Sequence, residues 1–300
     1  MYKYALLLIG GLLMTGCKDN NHNKPKPKPT VSPVVQPTPV PKPPVVTPIP
    51  VAPKPSAISL TPAEYANKKP TVDIDFSKGL PNGWITAIAD HYGVWRKTVP
   101  SPYSASDSGK FNAEYYDPAN LSYDSNGLTI TTKRSDKFPG YTWSSGIVGT
   151  HGGYRFTGGY ITFKAKMPDA RYGMWGGMWF LEGGGEIDLH EAGFTSGFDP
   201  NRTMAINYHG GGQQKFIDVG VDMSKDFHDY GLEYIPGKSL KFYFDGKLVH
   251  TYTNNIPTGG YCILLNSQVA QNTQGWHTVV GPNTAAVNYM IFKSMKAYPL

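Results

Sequence analysis

Tyr230-Gly-Leu-Glu-Tyr-Ile-Pro-Gly-Lys-Ser-Leu-Lys-Phe-Tyr-Phe-Asp-Gly-Lys-Leu-Val-His-Thr-Tyr-Thr253 contains three short runs, 230–235, 239–244 and 247–253, with the two-residue period that puts successive side chains on opposite faces of a strand. Pro236-Gly237 bounds the first run. Asp245-Gly246 joins the other two, and both residues tolerate the positive φ that a two-residue hairpin turn requires. The same pattern recurs on either side. Strands are predicted over 128–133, 159–166, 185–191, 204–209, 215–221, 261–266 and 289–297, each bounded by Gly, Pro, Asn or Asp. A short helix is predicted from Thr61, with Glu64 placed for a capping box. No sustained 3.6-residue period follows it. Many short antiparallel strands in one continuous segment predict an all-β fold, a β-sandwich jelly roll. Without a glycine-rich phosphate loop or a βα alternation, nucleotide-binding enzymes are excluded.

The chain has 300 residues, a formal net charge of +6, 40% hydrophobic and 13% aromatic residues. That is too apolar for a disordered protein, and 34 Gly with 20 Tyr do not suit a helical bundle. The charge is unevenly placed. Up to Ser56 there are seven Lys and one acid, Asp19, so the remainder carries equal numbers of basic and acidic residues. A neutral domain gives no footprint for nucleic acid. Two cysteines, Cys17 and Cys262, exclude a disulfide framework and a cysteine-based zinc site. Cys262, in the run Tyr-Cys-Ile-Leu-Leu, reads as a buried small hydrophobe.

Residues 1–16 read as an export signal: Lys3 supplies positive charge, ten apolar or Gly residues run from Ala5 to Met14, and Thr15-Gly16 supply small residues before a cut. Ten residues are too few to span roughly 30 Å of hydrocarbon as a helix. Met14-Thr-Gly-Cys17 resembles a bacterial lipobox, which implies that Cys17 becomes the lipidated first residue of the mature chain; Met replaces the usual Leu. Residues 17–56 then form a linker. From Lys24 to Pro55, 13 of 32 residues are Pro, a composition that cannot pack a core and favours extended polyproline II. At about 3.1 Å per residue it reaches on the order of 100 Å. Residues 57–300 are left as the folded domain.

Within that domain lies Trp175-Gly-Gly-Met-Trp179-Phe-Leu-Glu-Gly-Gly-Gly-Glu186-Ile-Asp188-Leu-His190-Glu191. In a regular strand Glu186 and Asp188 share one face and Ile187 and Leu189 the other. Glu191 joins the acids only if one extra residue is accommodated, as by a β-bulge near Leu189-His190. Crowded carboxylates push one member's pKa up, so one acid stays protonated while another is an anion. Two such groups about 5–5.5 Å apart across a glycosidic bond make a retaining glycosidase. A calcium site and a solvated edge strand use the same residue types.

Glu186-Ile-Asp188-Leu-His-Glu191 resembles the E-x-D-x-x-E signature of glycoside hydrolase family 16, in the bulged-strand branch of laminarinases, agarases and carrageenases. The resemblance extends through Ser145-Gly-Ile147, Tyr154-Arg-Phe, 159–168, the Trp175/Trp179 pair and 227–234. It implies that Glu186 is the nucleophile, that Asp188 hydrogen-bonds it, and that Glu191 is the acid and then the base. It also implies Trp175 beside the cleft, stacking on a sugar, with Trp179 more core-facing, and His209 near the cleft, bonding substrate or Asp188. His190 is expected at the bulge, facing away from the acids. Trp95, Trp143 and Trp276, in polar loop-like stretches, are candidate sugar platforms.

Three positions depart from the family pattern. Gly176-Gly177 replaces Pro-Ala, Ser267-Gln-Val-Ala-Gln271 replaces a glycine-rich apolar stretch, and Asn288 stands where many members supply Asp to a structural calcium. Asp73 or Asp75 remains available to such a site; otherwise no metal and no cofactor is expected. The expectation is a monomeric, endo-acting hydrolase of β-1,3 or β-1,3/1,4-glucan, lipid-anchored at a bacterial cell envelope. Exopolysaccharide, capsule or galactan is the alternative substrate, transglycosylation the alternative outcome, and a non-catalytic lectin the non-enzyme alternative. A metalloenzyme using His190, Glu191 and His209 lacks ligand spacing.

Overall fold

A computed structural model of the chain describes residues 61–86, 101–102, 112–192, 197–211, 214–270 and 279–300. In chain order the strands begin with β1 (Val72–Asp75), β2 (Ser101–Pro102), β3 (Glu114–Tyr116), β4 (Leu121–Asp124), β5 (Gly127–Arg134) and β6 (Trp143–Ser145). Next come β7 (Ile147–Gly149), β8 (Gly159–Lys166), β9 (Met174–Leu181), β10 (Ile187–Glu191), β11 (Thr203–Tyr208) and β12 (Lys215–Asp218). The last are β13 (His228–Ile235), β14 (Ser239–Phe244), β15 (Lys247–Tyr252), β16 (Cys262–Val269) and β17 (Val287–Tyr298).

They form two sheets. The larger runs β15-β14-β13-β8-β17-β5-β6-β3-β2, with β1 added to β17 and β4 to β5. The smaller runs β12-β11-β10-β9-β16-β7. Pairing is antiparallel except for β3 with β6. This is the all-β sandwich of the jelly-roll class expected from the strand pattern. Alternate residues of the small sheet, among them Met178, Phe180, Ile187, Ile206, Ile263 and Leu265, enter one core cluster with Leu128, Ile161, Phe163, Leu232 and Phe292 of the large sheet. Burying each such side chain stabilises the sandwich by about 1.5–3 kcal/mol. At the β14–β15 hairpin Asp245 and Gly246 have φ of 46° and 75°, as the Asp-Gly pair predicted.

The expected helix at Thr61 is instead a run of turns, with Tyr65 N–H donating to Pro62 O, Ala66 to Ala63 and Lys68 to Tyr65. Tyr65 explains the difference. Its ring is buried beside Tyr160 and its hydroxyl donates to Glu233 at 3.0 Å, a tertiary anchor that outweighs local helix signals. The expected strand 185–191 is also shorter, because 182–185 are bends ahead of β10.

Candidate active site

The small sheet presents β10 at its centre, flanked by β9 and β11. On β9, Met178 and Phe180 point into the core, which turns Trp175, Gly177 and Trp179 to the opposite face. Asp188 lies opposite Trp179 and Glu191 opposite Gly177, with a register shift between Asp188 and His190. That shift is the expected bulge. Leu189 packs in the core, and the His190 ring lies 5.6 Å from that of Tyr230 on β13. Both bulge residues thus serve the inter-sheet side, and Glu191 returns to the face of Glu186 and Asp188.

The three acids feel one another, and burial dominates their ionisation. Glu186, just ahead of β10, is pushed up to about 7 by burial and then by Asp188, against the opposing pull of His209. Asp188 is raised by burial while hydrogen bonds from His209 and Asn207 oppose the rise. Glu191 is raised furthest from its ordinary range, by burial first and then by Asp188 and Glu186, with a hydrogen bond from Trp175 opposing. Its surroundings therefore favour the protonated form of Glu191.

His209 occupies the place expected for it. Its Nε2 lies 3.1 Å from Asp188 Oδ2 and 3.2 Å from Glu186 Oε1. Its pKa is raised, chiefly by the hydrogen bond to Asp188, so its cationic form is favoured beside the two anions. The side chain is 52% exposed. Asn207, opposite Asp188 in the β10–β11 ladder, brings its amide to 2.8 Å from the same nitrogen; it went unnoticed in the sequence, although it is the one amide in the apolar run Met-Ala-Ile-Asn-Tyr. His190 is 1% exposed and faces the core, which removes it from any metal set with Glu191 and His209.

The tryptophans require correction. Trp175 meets the site, but it is 2% exposed, packed among Ala170, Ala192, Ala205 and Ala270. It lines the buried floor of the site, where it lowers the pKa of Glu191, and offers no open stacking face. Trp143 is 1% exposed, closed in by Ala113, Met174 and Val269 under the Arg134 guanidinium, so it is no sugar platform. Trp95, Trp276 and Cys17 lie outside the described residues.

Beside the acids runs a second polar row. Trp179 Nε1 donates to Asn266 Oδ1 at 2.9 Å, and Asn266 Nδ2 donates to Tyr116 Oη at 2.7 Å. Glu114, fully buried, accepts from Asn112 Nδ2 at 3.0 Å and from the Val269 N–H at 2.9 Å, and burial pushes its carboxyl up to about 8. Asn112 also donates to Gln268 Oε1 at 3.3 Å. In the stretch after Asn266, Gln268 lies opposite Trp175, whereas Ser267 turns inward to Thr132 and Ser145.

Among the described residues, Glu186, Asp188 and His209 are close enough to share a cation, as are His151, Glu182 and Cys262. The suggested calcium ligands do not fit together. Asn288 uses both amide atoms on the Asp169 backbone, Asp75 caps a turn through Ser77, and Asp73 pairs with Lys296.

The sequence matches the profile of glycosyl hydrolases family 16 over residues 109–277. It is 41% identical over 66 residues to a beta-glucanase of Paenibacillus macerans, an alignment covering 22% of this chain and 27% of that protein. It is 29% identical over 192 residues to a beta-glucanase of Brevibacillus brevis, covering 60% and 69%. The fold superposes on the laminarinase catalytic domain of Thermotoga maritima MSB8 with a TM-score of 0.62 at 24% identity, covering 78% of this chain and 98% of that one. The first of these alignments spans about a quarter of the relative's length. With more than half of its residues matched, and with the acids of its central strand gathered on one face across a bulge, the chain belongs to glycosyl hydrolases family 16.

Proposed function

We propose that this chain is an endo-acting, retaining glycoside hydrolase that cleaves β-1,3 or mixed β-1,3/1,4-glucan. One observation carries the chemistry: Glu186, Asp188 and Glu191 share a face across the bulge, with a cation-favouring His209 beside the first two. Glu186 attacks the anomeric carbon as Glu191 protonates the departing glycosidic oxygen, giving a glycosyl-enzyme and a free chain end. Glu191, now anionic, takes a proton from water, whose oxygen displaces Glu186. Asp188 and His209 hold Glu186 in register and set its charge.

The glucan reading is supported by the names of the relatives. Reducing-end release from laminarin, lichenan, agarose, carrageenan and bacterial exopolysaccharide decides the substrate, and the expected result is turnover of laminarin or lichenan with a ladder of oligosaccharides. Silence on both glucans removes that substrate. Glu186→Gln should lower turnover by at least about 10³-fold on the true substrate; retained hydrolysis removes the mechanism. Early products of unchanged anomeric configuration support retention.

We further propose that Cys17 is lipidated and tethers the domain at the bacterial envelope through the Pro-rich linker. Radiolabelled palmitate should enter the wild type and not Cys17→Ser, which should leave the membrane fraction.

A further inference from the structure

We propose that His151, Glu182 and Cys262 form a binding site for a thiophilic divalent cation such as zinc, separate from the catalytic acids. The three side chains come from different segments that the small sheet brings to one end. Cys262 opens β16 opposite Leu181, so Glu182 is the next residue beyond its partner. His151 follows β7, whose Gly149 lies opposite Leu264 of β16. Thr150 fixes that segment, its N–H donating to Ile263 O and its Oγ1 accepting from the Ile263 N–H at 2.9 Å.

The donor atoms, one nitrogen, one oxygen and one sulfur, all lie within 4.8 Å of one another, and His151 Nδ1 is 2.9 Å from Glu182 Oε1. Zinc bonds of about 2.0–2.3 Å in a tetrahedron need donors roughly 3.3–3.7 Å apart. Small side-chain movements supply that spacing and leave a fourth position for water. Arg155 takes the other carboxylate oxygen, Oε2, at 2.6 Å and also the Gly260 carbonyl. It orients Oε1 toward His151, as outer partners of metal ligands do. His151 and Glu182 are part-exposed, with side chains 15% and 30% accessible, and Cys262 is buried behind them, which gives an ion a way in.

The proton balance is simple. Without a cation the thiol keeps its proton and donates it to Leu181 O at 3.3 Å. The cation forms a bond to sulfur and the thiol proton leaves to solvent, so binding tightens as pH rises. Glu182 lies four residues ahead of Glu186, and an occupied site would pin the bends between them to β7 and β16.

The test uses the 300-residue chain carrying Cys17→Ser, in which Cys262 is the single thiol. Isothermal titration with zinc should show one equivalent bound, and cobalt should produce a thiolate-to-metal charge-transfer band. Cys262→Ala and His151→Ala should each weaken zinc binding at least about tenfold, and Cys262→Ala should abolish the band, with metal-free hydrolysis unchanged. His151 is part-exposed, so its variant remains informative if the buried cysteine's does not fold. Absence of stoichiometric binding, or binding that survives His151→Ala and is lost in His209→Ala, overturns the proposal; the latter places the ion on the catalytic acids.

Discussion

His209 is the residue whose exchange most directly reports on the acids. Its cationic form opposes the rise that burial and Asp188 impose on Glu186, whose value of about 7 already carries that pull. Replacing it with Gln removes that pull, so Glu186 holds its proton to higher pH. The acid limb of kcat/KM should move upward, with activity at pH 6 falling roughly tenfold more than at pH 8. An unmoved limb would mean that His209 does not set the charge of Glu186. The acids were legible because three carboxylates within six residues have no packing purpose, whereas Asn207, Asn266 and Glu114 were not. None belongs to a motif: Asn207 is a lone amide in an apolar run and the other two sit among ordinary polar neighbours, and only the fold shows that Asn207 faces Asp188, that Asn266 faces Gly177 and that Glu114 accepts from the Val269 N–H.

At the scale of elements, β9 and β16 are fitted to each other. A Cβ on Gly177 would come 2.7 Å from Asn266 Oδ1, the acceptor of the Trp179 indole. Gly177→Ala should therefore destabilise by about 1–2 kcal/mol and lower turnover through Glu191, which lies opposite. In the background of Asn266→Ala the same change should cost less, because the clash is gone. A double-mutant cycle from thermal melts measures the difference; additive losses would show that the two residues are independent. This also explains why β9 was not recognisable as a strand. Seven of its eight residues are buried, so the apolar-polar alternation that betrays a one-faced strand never appears. The short β3 and β6 escaped notice for another reason: three residues hold no period.

For the whole molecule, the two sheets meet at a histidine. His190 is buried against Tyr230, neither ring nitrogen has a hydrogen-bond partner, and burial drives its pKa down to about 3. The unfolded chain binds this proton near pH 6.5 and the folded chain does not. Stability from this residue is complete above pH 6.5 and drains away as pH falls toward 3, by about 1.4 kcal/mol per pH unit. His190→Leu should gain on the wild type progressively between pH 7 and 4 in denaturant titrations; a constant difference would contradict the buried neutral ring. The buried carboxyls act with the opposite sign, since Glu114 and Glu186 favour their protonated forms when folded, and so ease the molecule through mild acid. The sandwich itself was legible from hairpins such as Asp245-Gly246, and the basic charge from its confinement to the first fifth of the sequence.

The bulge in β10 has one more consequence. Because Leu189 and His190 together occupy a single slot of the alternation, the strand carries a removable spacer. Excising His190 leaves Glu-Ile-Asp-Leu-Glu, in which the acids fall at every second position of an unbroken strand and Leu alone fills the core slot. Almost any other one-residue deletion within a strand of this sheet turns the later side chains of that strand onto the wrong face; this one preserves the polarity of the catalytic face. The shortened chain should fold, with its acids still gathered and Glu191 drawn nearer to Asp188 along the strand.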